Sequence, residues 1–209
     1  MKKIFNILVA MMCCLSCVSC GDDDWDYDHS QEHVYFFGPQ VWGYDGSKLG
    51  NNNVVTYNVN QGEKIEIPMQ FWCEFVRSYD VETFYYTAPK PAEEKYYSTP
   101  EVNKDQITYD GTELVCGVDY EIVDAQGNKL SPNSDGAYTM AWPNAKKGVQ
   151  NIYIKALNGK KGAFNLLTAN PNSETKPSNQ DVESTVQNKT DKYTVRIFTQ
   201  NYRVTVVIK

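Results

Sequence analysis

From Lys64 to Phe75 apolar and polar residues alternate without a break. Ile65, Ile67, Met69, Phe71, Cys73 and Phe75 fall on one face, and Lys64, Glu66, Pro68, Gln70, Trp72 and Glu74 on the other. A repeat of two is that of a β-strand with one buried side. The pattern predicts that Cys73 faces a core and that Trp72 lies on the opposite face between Gln70 and Glu74. There Trp72 is either covered by a neighbouring loop or an exposed aromatic platform. Pro68 brings no N–H to a ladder, so it predicts an edge strand or a bulge. The same alternation recurs at Leu114, Cys116, Val118, Tyr120 and Ile122, and at Tyr138, Met140 and Trp142. It returns at Ile152, Ile154 and Ala156, at Tyr193, Val195 and Ile197, and at Tyr202, Val204, Val206 and Ile208. Shorter strand-like runs cover residues 33–37, 54–59, 81–86 and 163–168.

Three stretches interrupt the rhythm. Residues 38–53 hold four glycines, a proline and three asparagines and predict a long loop that carries Trp42 and Tyr44. Residues 88–112 read as an insertion with Tyr96 and Tyr97 near its tip, and loops of that length are usually functional or mobile. Residues 170–191 are polar and read as an excursion. The Gln200-Asn201 pair between the last two alternating runs predicts a C-terminal hairpin. About ten strands with turn signals between them, and no long segment of helical period, predict an all-β sandwich, with a single barrel as the runner-up. The expected core contains Ile65, Ile67, Met69, Phe71, Tyr120, Ile122, Met140, Ile152 and Ile154.

The first residues follow a different logic. Lys2 and Lys3 precede an apolar run from Ile4 to Leu15, then small residues and cysteines, then Cys20-Gly21-Asp22-Asp23-Asp24. That order is a secretory signal, and its apolar run is too short for a membrane span. Cys17-Val18-Ser19-Cys20 resembles the lipobox at which bacterial signal peptidase II cuts before an acylated cysteine. Cys17 stands where that motif usually has Leu, and Leu15-Ser16-Cys17 offers a second register. The acidic run after Cys20 favours Cys20 as the lipid anchor. Gly21-Asp22-Asp23-Asp24 is similar to the acidic export tag of Bacteroidetes lipoproteins, which implies an outer-membrane protein displayed at the cell surface. The expected organisation is a signal peptide over residues 1–19, an acidic tether over 20–32 and a β-sandwich domain over 33–209.

Charge and composition narrow the function. The chain carries a net charge of −6; with Lys2 and Lys3 removed, 18 basic and 26 acidic residues leave −8. No basic cluster remains, which argues against nucleic acid as a partner and against a polybasic membrane patch. Four of the six cysteines lie in the signal or at its cleavage point, leaving Cys73 and Cys116, either bridged or buried as free thiols. Neither shows metal-ligand spacing, and no metal or cofactor is expected. The two histidines, His29 and His33, lie in or beside the tether, which leaves no partner for a Ser-His-Asp or Cys-His mechanism. The chain carries no phosphate-binding glycine loop, and no Asp/Glu pair is marked out for glycoside hydrolysis. An enzyme is therefore not expected.

Three segments carry a further resemblance: Gly117-Val118-Asp119-Tyr120-Glu121-Ile122, the bend from Tyr138 through Trp142-Pro143-Asn144 to Gly148, and Asn151-Ile152-Tyr153-Ile154-Lys155. Together they look like the core of Calx-beta-type, immunoglobulin-like sandwiches. With Val34-Tyr35-Phe36-Phe37 after an acidic tether, the mature chain is similar to an uncharacterised family of Bacteroidetes surface lipoproteins found with glycan-uptake genes. The acidic clusters of Calx-beta calcium sites are not matched, and the insertion at 88–112 departs from the pattern. The resemblance implies a non-catalytic binding module that captures a glycan or passes it to an outer-membrane transporter. The alternative is a structural or adhesive subunit that pairs with other surface proteins. The candidate ligand-binding residues are Trp42, Tyr44, Trp72, Tyr96 and Tyr97, since Trp and Tyr present flat apolar faces with a polar edge. The negative charge makes a neutral glycan the expected ligand. Trp42 has a competing reading as a lid folded onto the core.

Overall fold

The alternating segments pair into two stacked sheets. The computed structural model describes residues 33–40, 56–90 and 113–209, apart from 174, 179 and 200. The described strands are β1 (His33–Pro39), β2 (Thr56–Val59), β3 (Lys64–Trp72), β4 (Val81–Pro89), β5 (Tyr120–Val123) and β6 (Tyr138–Trp142). They continue with β7 (Gly148–Ala156), β8 (Gly162–Leu167), β9 (Val186–Lys189), β10 (Tyr193–Ile197) and β11 (Arg203–Ile208). One sheet has the order β5-β7-β3-β1-β10-β9 and the other β2-β11-β8-β4-β6. Neighbours are antiparallel except β1 with β10 and β2 with β11, which are parallel. The protein is an all-β, two-sheet sandwich.

The inward faces are those the alternation marks. Phe37, Ile67, Met69, Phe71, Ile154 and Val195 from the six-stranded sheet are fully buried against Val81, Phe164, Val204 and Val206 from the other. Trp142, the last residue of β6, is buried in the same cluster. Its ring stacks on Phe71 with centroids 5.0 Å apart, and its indole N–H donates to the Thr83 hydroxyl at 2.9 Å. Of the expected core, eight residues are buried and Ile65 is partly buried against the same cluster. Cys73 and Cys116 also pack partly against it, and both are free thiols.

Several expectations are corrected. β3 is no edge strand, because it lies between β7 and β1. Pro68 is tolerated there because its carbonyl points to the side where β1 has ended and accepts from the Gln40 N–H at 2.8 Å. The N of Pro68 faces the same way, so the ladder to β7 loses no donor and the missing one falls opposite Gln40, just past the end of β1. β3 stops at Trp72, which leaves Phe75 half exposed rather than core-facing. Val118 is also exposed, at 62%. It sits in a turn made by Gly117 at φ +87°, and β5 starts only at Tyr120. The C-terminal hairpin does not form, since β10 and β11 belong to different sheets. The chain crosses between them, and Ile197 and Tyr202 are buried with Tyr86, Ala137 and Leu167 in a second cluster. The polar excursion contains β9, which pairs with β10.

β9 also closes one side of the sandwich. β4 pairs with β6 over residues 81–85 but with β8 only over 86–89, so the first half of its second edge lacks a strand. Side chains take that place. Phe84 N–H donates to Gln187 Oε1 at 2.9 Å, and Gln187 Nε2 donates to the carbonyls of Phe84 and Thr168, both at 2.6 Å. Asn188 Nδ2 donates to the Glu82 carbonyl at 2.8 Å. A buried strand edge left without such partners would cost free energy for each unpaired group.

The Gly117-Val118-Asp119-Tyr120 stretch is a structural tie. The Asp119 carboxylate accepts from Lys160 N–H at 2.7 Å and from Val115 N–H at 2.8 Å. These backbone donors hold its carboxyl below the usual carboxylate range, with the Lys160 backbone contact the larger cause. Tyr120 next to it stacks on Phe164, with ring centroids 3.8 Å apart and planes 6° from parallel.

Candidate functional site

The outer face of the six-stranded sheet carries an aromatic platform. β1 turns Tyr35 and Phe37 inward, so Phe36 points out, and its cross-strand partner on β3 is Trp72. Phe198, the first residue beyond β10, folds back over Gly38. A Cβ on Gly38 would stand 3.3 Å from the Phe198 ring and 3.1 Å from the Asn201 carbonyl, so only glycine leaves this space free. Phe198 then stacks on Phe36 with centroids 5.3 Å apart and meets the Trp72 ring edge-on at 4.9 Å. Phe36 remains 38% exposed.

Two amide side chains flank the rings. Gln70 is the cross-strand partner of Gly38, two residues before Trp72 on the same face. Asn201 Nδ2 donates to the Pro39 carbonyl at 3.0 Å, which fixes its side chain beside the same glycine. Gln70 Oε1 and Asn201 Oδ1 are buried and have no hydrogen-bond partner among the described residues. A buried unpaired acceptor is costly and uncommon in a folded protein, and both oxygens lie beneath the platform, shielded from solvent. Arg196, the cross-strand partner of Phe36 on β10, is occupied by the Val182 carbonyl at 2.7 Å and by Glu183 at 3.4 Å. The platform therefore offers flat, partly exposed apolar rings.

Trp72 is the one sequence-predicted ligand residue that the described structure contains, and it joins both readings given to it: the Phe198 ring covers its edge, and it belongs to an aromatic surface. Trp42, Tyr44, Tyr96, Tyr97 and Cys20 lie outside the described residues, as does the expected meeting of the two aromatic loops. Phe36, Phe198, Gln70 and Asn201 were missed. The alternation of Val34-Tyr35-Phe36-Phe37 carried a signal for Phe36, because burying Tyr35 and Phe37 forces it outward. Nothing local marks Phe198 or Asn201, which reach the site only through the crossing from β10 to β11. Among the described residues no group of three or more His, Cys, Asp or Glu side chains is placed to hold a metal ion. No protein-family model matches this chain, and no curated protein matches it.

Proposed function

We propose that this chain is a lipid-anchored, surface-displayed protein of the bacterial outer membrane. Its sandwich binds a neutral glycan without catalysis. The observation that carries the binding half is the partly exposed Phe36–Phe198–Trp72 ring cluster on the outer face of the six-stranded sheet. A pyranose has an apolar C–H face that packs on an aromatic ring. An anionic ligand would meet a guanidinium already engaged by the Val182 carbonyl and Glu183, under a chain of net negative charge. The anchoring half rests on Cys20 and the acidic run behind it. Two or more acyl chains hold a protein stably to a bilayer.

The chain from Gly21, screened against neutral glycans, tests the binding half. Phe36→Ala should weaken binding by about tenfold, the loss of one ring contact with its apolar burial, with little change in melting temperature. Gln70→Leu removes a buried unpaired acceptor, so its stability should hold or rise. A parent protein that binds no neutral glycan sinks this reading. Cys20→Ala should release the full protein from the membrane fraction. Release by Cys17→Ala in its place would move the anchor.

A further inference from the structure

The sandwich has a second unusual surface, at the end where the chain enters it. β1 begins there at His33, and the segment after β3 passes beside it. An Arg77 guanidinium nitrogen stands 3.5 Å from His33 Nδ1, and the Tyr79 and His33 rings stack at 6.4 Å. The bend at Pro143–Ala145 reaches the same end, through Arg77 N–H to the Asn144 carbonyl at 2.8 Å and Asn144 N–H to Asp80 Oδ1 at 2.9 Å. So does the turn before β10, since Tyr193 pairs with His33 and Lys192 Nζ stands 6.0 Å from the Tyr79 ring. On this end Phe75 is 50% and Val76 61% exposed, side by side. Lys146, Lys147 and Lys192 are exposed around them, and Arg77 lies 5.5 Å over the Phe75 ring. Glu74, Asp80 and Asp191 are the acidic residues of the same segments, and Asp80 is tied to the bend.

We propose that this end is a membrane-contact surface. Phe75 and Val76 enter the interfacial layer of an anionic bilayer, and Lys146, Lys147 and Lys192 lie over its lipid phosphates. Exposed apolar residues ringed by basic ones are what binding at a headgroup layer uses. The chain itself names the occupant. If Cys20 is the anchor, as in the reading this inference rests on, 12 residues lie between it and His33, a span of at most about 45 Å when fully extended. The end bearing Phe75 is therefore held within reach of the bilayer, at a local concentration at which a weak surface contact is populated. Docked this way, the outer face of the six-stranded sheet stands to the side of the contact.

The test is co-sedimentation of the chain from Gly21, which keeps the whole His33–Lys209 unit and carries no acyl chain, with phosphatidylcholine vesicles with and without phosphatidylglycerol. Partition onto the anionic vesicles is expected, lowered about tenfold in the Phe75→Ser/Val76→Ser variant with its melting temperature kept. Amide exchange of the acylated protein in the same bilayers should slow at residues 73–79 and stay unchanged at the far-end turns 60–63 and 157–161. No partition, equal partition of variant and parent, or slowing only at the far end overturns the proposal. Protection at 73–79 that grows with protein concentration without lipid assigns the surface to a second copy and also overturns it. A mature protein without acyl groups on Cys20 refutes the anchored reading alone, because the vesicle experiment does not depend on it.

Discussion

Replacing Asp119 by Ala tests the tie that holds one end of the sandwich. The carboxylate accepts from Lys160 N–H at 2.7 Å and from Val115 N–H at 2.8 Å, so the substitution removes both acceptors and leaves two part-buried donors. Hydrogen bonds to a charged group contribute about 1.5–3 kcal/mol each, so the loss should be about 3–5 kcal/mol after partial rescue by water. For a domain of this size that is a fall in melting temperature of roughly 6–20 °C. Asp119→Asn should cost less, because one carbonyl oxygen survives while the amide sets donor against donor. Gly159→Ala should destabilise independently, since a Cβ there would stand 2.9 Å from both the Asp119 Cα and the Val118 carbonyl. The pH dependence follows from the sign of the shift. Asp119 has a lowered pKa in the folded state, so its contribution is fully present above the unfolded value of about 3.9 and is lost as pH falls through the folded value. Thermal melts of parent and Asp119→Ala from pH 7 to pH 2 should converge below about pH 4. A gap under about 2 °C at pH 7, or one that persists unchanged to pH 2, would refute the reasoning.

Phe71→Ala removes a fully buried ring stacked on Trp142 and should cost about 3–5 kcal/mol in urea unfolding. Gln187→Ala strips the Phe84 N–H and the carbonyls of Phe84 and Thr168 of their partners. It should cost about 2–4 kcal/mol, with amide exchange at Phe84 rising before that at Phe71. Thiol titration of the denatured, unreduced chain from Gly21 should find two free groups, since Cys73 and Cys116 are unbridged; a count of zero would mean a disulfide.

Period-two alternation determined the all-β class, the strand positions and the inward faces, because a half-buried strand must alternate whatever it pairs with. It named Phe71, Ile67 and Ile154 as core and placed Trp72 on the face opposite Phe71. Local sequence misled where a backbone turn overrides the alternation, as at Gly117, which throws Val118 outward. Tertiary structure alone decided the pairing. Whether β10 and β11 form a hairpin depends on which sheet each edge finds, and the long-range partners β1 and β8 outweigh a weak Gln-Asn turn. The same crossing carries Phe198 and Asn201 onto β1, so the platform is assembled from residues 36, 70, 72, 198 and 201. No local pattern can announce contacts between residues more than a hundred positions apart. The interior position of β3 was likewise a pairing fact, since a proline argues for an edge until the neighbouring strand is seen to end beside it.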